Sequence, residues 1–186
     1  MANRVAPSRE AGETTVRRTS GAKGLVVLGV DPGLDRTGYA VVDSGRREVR
    51  DAGLIRSTVG DLLAVRLCEI DAGLQDVLAD HAVDLVAVED LFAHYKHPRT
   101  AILMGHARGV ILLAAARRGI EVVSLPATRV KKSLTGNGHA SKVQMQRAIM
   151  ATLNLRRIPE PADVADALAV ALCAAIGRVA ERRGRG

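Results

Sequence analysis

The stretch LVVLGVDPGLDRTGYAVVDSGRREVRDAGLIRS, residues 25–57, decides the architecture. LVVLGVD (25–31) is short, apolar and β-branched, the composition of a buried strand. It runs into the turn pair Pro32-Gly33. TGYAVVD (37–43) reads as a second strand, Ser44-Gly45 as the next turn, and REVRDAGLIRS (47–57) as a third strand. Three consecutive strands joined by short turns make an antiparallel meander.

Downstream the pattern changes. Over residues 60–80, Leu62, Leu63, Leu67, Ile70, Leu74, Val77 and Leu78 recur at spacings of three and four, which predicts an amphipathic helix. DLVAVED (84–90) is a fourth strand, followed by the polar loop FAHYKHPR. Residues 99–118 form a helix with small residues along one side (Ala101, Gly105, Ala107, Gly109, Ala114). That face serves a core or a partner equally well. Gly119 stops the helix, and IEVVSL (120–125) is a fifth strand. Pro126 opens a short helix, ATRVKKSL, and TGNGHAS is a Gly-rich loop. Residues 140–155 and 162–177 are the last two helices. An antiparallel opening followed by alternating helices and strands predicts an α/β domain. Its core is a mixed five-stranded sheet flanked by helices on both faces.

The outer segments read differently. Residues 1–24 and 178–186 are polar and basic, +3 each, and are expected to be disordered tails around a domain over 25–177. No signal or transit peptide is recognisable, and no apolar run is read as long enough to span a membrane, so the expected location is the cytoplasm. Cys68 and Cys173 lie far apart within apolar helical patterns and read as reduced core thiols. Only three aromatics are present (Tyr39, Phe92, Tyr95), which argues against non-specific base stacking along a strand.

The net charge of +7 is segregated within the domain. Residues 25–90 carry −7, residues 91–159 carry +11 and residues 160–177 carry −3. A basic block of that size can neutralise several phosphates.

Four carboxylates stand out by position. Asp31 ends the first apolar strand and is followed at once by a turn. Glu89 ends the fourth strand in the same way. Asp163 and Asp166 lie three apart on the last helix and so share a face, within the otherwise apolar PADVADALAVAL. A first-turn Asp suits a helix dipole, which accounts for Asp163 but not for Asp166. Four carboxylates, most of them beside apolar stretches, suit hard divalent cations such as Mg²⁺. Two such ions are the usual agents of phosphodiester cleavage.

GVDPGLDRTGYAVV, VAVEDLF, TRVKKSLTGNGHASKVQM and PADVADALAVAL, in that order over residues 25–177, resemble the successive motifs of the RuvC family. The resemblance implies a ribonuclease-H-like fold, a homodimer, and paired nicking of four-way (Holliday) junction DNA in recombination and repair. It also implies dependence on Mg²⁺ or Mn²⁺, with two ions per site, and partnership with the branch-migration helicase proteins RuvA and RuvB. By the same resemblance Asp31, Glu89, Asp163 and Asp166 are the catalytic metal ligands. Lys131 and Lys142 serve the DNA and its scissile phosphate, and Phe92 stacks on bases near the junction centre. The chain departs from the family pattern at His106, where Gln is usual, and in a longer loop after Phe92. A related nuclease of the YqgF type shares the Asp-Gly opening but acts on RNA, and the VAVEDLF and GNGHASK segments speak against it.

Four of the five histidines (His94, His97, His106, His139) fall in the basic block. Junction affinity at fixed salt is therefore expected to rise as pH falls toward about 6. A flat binding profile between pH 8 and 6 would remove that expectation.

Overall fold

The computed structural model describes residues 3–4, 24–91 and 98–183. The meander is present as β2 (Val26–Asp31), β3 (Arg36–Asp43) and β4 (Glu48–Arg56), all antiparallel. After α1 (Leu63–Asp80), β5 (Leu85–Glu89) pairs parallel with β2. After α2 (Pro98–Arg117), β6 (Glu121–Leu125) pairs parallel with β5. The expected mixed five-stranded sheet is thus formed, and a two-residue strand β1 (Asn3–Arg4) extends it to the order β1-β4-β3-β2-β5-β6.

Strand periodicity sorts the core into two halves. Val26, Leu28 and Val30 of β2 and Tyr39 and Val41 of β3 face α1 and α2, where they meet Ile70, Leu74 and Ile111. Val27, Ala40, Val42, Leu85 and Ala87 face the other way. They pack under α5 (Ala162–Arg183), with α3 (Ala127–Thr135) and α4 (Lys142–Leu153) beside it. The residues of α5 from Val164 to Ala175 are buried except Asp166, so it is the central helix of that layer.

Four expectations are corrected. Residues 1–24 are not wholly a free tail, because Asn3 and Arg4 pair with Leu54 and Gly53 of β4. Edge pairing uses backbone groups and leaves no mark in side-chain pattern. Nor does the C-terminal tail begin at 178: α5 continues to Arg183. Arg178 there pairs with Glu121 of β6 and with Glu181 one turn on, which holds the extra turns. Further, residues Arg99–Arg117 are long and apolar enough, by length and composition alone, to match a membrane span. In this fold that helix seats Ala107, Ile111, Ala114 and Ala115 on the sheet. Its Arg108 donates to Asp90 and Ser124. Cys173 is buried as expected, whereas Cys68 is exposed.

Arg118, just past α2, fastens the end of α1. Its guanidinium donates to the carbonyls of Leu78 (3.0 Å) and Gln75 (3.1 Å) and to Gln75 Oε1 (2.8 Å). The last four carbonyls of a helix, Leu78 O among them here, have no partner within it. Arg118→Ala is expected to cost about 1–2 kcal/mol in urea unfolding. An unchanged midpoint would mean that water replaces the guanidinium fully.

Candidate active site

Period two decides where the strand acids point. Asp31 follows Val27 and Gly29 on the α5 face of β2. Glu89 follows Leu85 and Ala87 on the α5 face of β5. The two strands are parallel with Val30 opposite Val88, so both acids reach the same carboxyl-terminal edge of the sheet. The first turns of α5 lie over that edge and carry Asp163 and Asp166. The crevice beyond the carboxyl ends of parallel strands is where open α/β sheets place their sites.

The basic residues come from the neighbouring helices. Ser141 caps α4 in a reciprocal capping box with Gln144, which makes Lys142 the first helical residue. Gly136, at φ 75°, ends α3 in the left-handed conformation one turn past Lys131. Thr135 and Asn137 brace the intervening loop: the Thr135 hydroxyl donates to Lys131 O, and Asn137 Oδ1 accepts from His139 N. Between α3, α4 and α5 lies a cleft of about 290 Å³, lined by Glu89, Asp166, Lys131 and Lys142 over an apolar floor that includes Val130 and Ile149.

Proximity of the acids shows in their titration. Asp31 is pushed up to about 7, first by burial and then by the charges of Asp166, Glu89 and Asp163. Glu89 is raised mainly by burial and also by Asp166, against the pull of Lys131. Asp166 is open to solvent on one side, yet the protein around it raises its pKa, burial again first. Lys142 opposes that rise most strongly. Like charges in a poorly solvated crevice disfavour ionisation, and a cation among them relieves that repulsion.

The donor set is carboxylate oxygen throughout, which fits a hard divalent ion. Among the described residues, no three His, Cys, Asp or Glu side chains converge closely enough to chelate one ion together. Asp163 is instead turned to Arg36, with Nε 3.5 Å from Oδ2. Arg36 was not singled out from sequence, where it is one arginine in an acidic block. The turn that leads into it is itself tied down. Thr37 donates to Gly33 O, Ser57 donates to Leu34 O, and Arg66 of α1 pairs with Asp35. Phe92, His94 and His97 lie outside the described residues. His106 and His139 are exposed.

Clustered acids on the central strands of a mixed sheet, under a crossing helix and beside two lysines, define a class: a nuclease of ribonuclease-H-like fold. The family model for crossover junction endodeoxyribonuclease RuvC matches residues 27–174, and the chain belongs to this family. The family carries a general dependence on divalent metal. The chain is 58% identical over 149 residues to the crossover junction endodeoxyribonuclease RuvC of Rhodopirellula baltica, covering 79% of this chain and 84% of that one. It is 41% identical over 151 residues to the enzyme of Desulforamulus reducens, covering 80% and 92%. Among solved structures it resembles T. thermophilus RuvC in complex with Holliday junction substrate, with a TM-score of 0.77 and 32% identity. That likeness covers 84% of this chain and 96% of that one.

Proposed function

We propose that this protein resolves four-way DNA junctions by metal-dependent paired nicking during recombination and repair. The observation that carries the reading is the gathering of acids from β2, β5 and α5 at one sheet edge, where Asp31 feels the charges of the other three and where Glu89 and Asp166 line a cleft with Lys131 and Lys142. In this reading Asp31, Glu89, Asp163 and Asp166 hold two Mg²⁺ or Mn²⁺ ions. When bound, these supply charge neutralisation at the scissile phosphate and a lowered pKa for the attacking water.

Lys142, at the mouth of the cleft, meets the phosphate charge as it grows, and Lys131 meets it from the side of Glu89. Phe92 is assigned to stacking at the junction centre. The basic block 91–159 guides the arms toward the acids. Products carry 5′-phosphate and 3′-hydroxyl ends. Two sites on strands of like polarity need a two-fold dimer. The outer face of α2 suits that contact: Ile102 and Leu113 are exposed on it, and a Cβ added at Gly105 or Gly109 would touch nothing. The motor that moves the junction is assigned to RuvA and RuvB.

The test is a synthetic mobile four-way junction incubated with the protein and Mg²⁺, with a linear duplex and an RNA junction as controls. Symmetric nicks on the DNA junction alone are expected. Tight binding without cleavage in any divalent metal would make the protein a junction-binding module instead. Cutting of RNA would move it to the neighbouring nuclease class.

A further inference from the structure

Gly38 occupies a position that a side chain can fill only if β3 or the α5 backbone at Asp163 shifts. It is the cross-strand partner of Asp31 in the β2–β3 ladder. With Ala40 and Val42 it lies on the face that α5 covers. A Cβ added at Gly38 would stand 2.1 Å from the carbonyl oxygen of Asp163, 2.5 Å from its carbonyl carbon and 3.1 Å from its Cβ. The obstructing atoms are helix backbone, which cannot rotate away as a side-chain tip can. One strand over, Gly29 makes the same allowance, since its added Cβ would lie 2.2 Å from Ala167 O and 2.6 Å from Ala171 N. The first turns of α5 therefore rest directly on β3 and β2, with no side chain between them.

We propose that Gly38 is a positioning residue for the metal centre. Its missing side chain sets the separation between Asp31, on the strand beside it, and Asp163, on the helix above it. The inference rests on the reading of these acids as cation ligands. A small divalent ion accepts oxygen donors over a narrow range of distance and geometry. A 2.1 Å contact must open by about 1 Å to become tolerable, and that displacement falls on Asp163 first. Gly73 serves as the comparison. Its added Cβ would meet Ile55 Cγ2 at 2.6 Å, in the layer on the opposite face of the sheet, and there the obstacle is a side chain.

Mn²⁺ alone, titrated into the full chain and followed by its electron paramagnetic resonance signal, tests the inference without cleavage as the readout. Gly38→Ala is expected to weaken Mn²⁺ binding tenfold or more, on the order of what loss of a supporting residue costs a metal site. Gly73→Ala should lower thermal stability and leave Mn²⁺ affinity within about twofold of the unaltered chain. Adding Asp163→Glu to Gly38→Ala supplies about 1.5 Å of reach and is expected to restore most of the lost affinity. In the otherwise unaltered chain the same change should overshoot and weaken binding. That last measurement does not depend on Gly38→Ala folding: if Asp163→Glu alone binds Mn²⁺ as well as aspartate does, spacing is not critical and the inference is overturned. Unchanged affinity in a folded Gly38→Ala overturns it equally, provided that Asp31→Asn loses binding. If Asp31→Asn binds Mn²⁺ normally, the metal reading itself has failed.

Discussion

Asp31→Asn is expected to lower junction cleavage in Mg²⁺ by roughly a thousandfold or more while leaving junction affinity within a few-fold. Removing a residue that merely supports a metal ligand costs about 10–100-fold, and Asp31 is proposed as a ligand itself, the one most surrounded by the other three acids. The amide is isosteric and neutral, so the β2 edge and its packing under α5 are retained. Phosphate contacts set affinity, and these are assigned to Lys131, Lys142 and the rest of the basic block. Cleavage and binding should therefore separate cleanly in a gel assay on one labelled junction. Joint loss of both would make Asp31 a structural residue.

The same substitution is expected to stabilise the metal-free protein at neutral and alkaline pH. The Asp31 carboxyl ionises near 3.8 in an unfolded chain and at about 7 in the fold. Between those values the folded state holds a proton that the unfolded state has lost. The stability associated with the group is therefore fully present below about pH 4 and is lost as pH rises through about 7. Asparagine cannot ionise and escapes that loss. A tenfold change in an ionisation equilibrium corresponds to about 1.4 kcal/mol, so the gap between the folded and unfolded values bounds the gain at about 4 kcal/mol. For a chain of this size a gain of a few kcal/mol raises Tm by roughly 5–10 °C. Melting in EDTA should show Asp31→Asn well above the unaltered chain at pH 8 and level with it near pH 4. Glu89 and Asp166 are raised in the same direction, so their amides should move Tm with the same sign. A difference independent of pH would trace the stabilisation to packing. Activity and stability are thus opposed at this site, because the charge crowding that attracts a cation also strains the fold.

The strand acids were legible in sequence because a strand places alternate residues on one face. An acid that closes an apolar run must then emerge at the sheet edge, as Asp31 and Glu89 do. Asp163 and Asp166 were legible from helical spacing. Arg36 was not: its pairing with Asp163 joins β3 to α5 across 127 residues, and no local pattern encodes such a contact. Nor was β1, whose attachment to β4 is made by backbone groups that every residue except proline carries.

By itself, the sequence determined the order of the five main strands and the helices, the two faces of the sheet, and where along the strands and the last helix the four candidate acids fall. Periodicity and composition are local properties, and each of these follows from them. Only the tertiary structure decided how closely the acids stand, which basic groups offset them and where the helix α5 comes to rest. Those are distances between segments far apart in the chain. Here they depend on the absence of a side chain at Gly29 and Gly38, a feature that in sequence reads as two ordinary strand glycines.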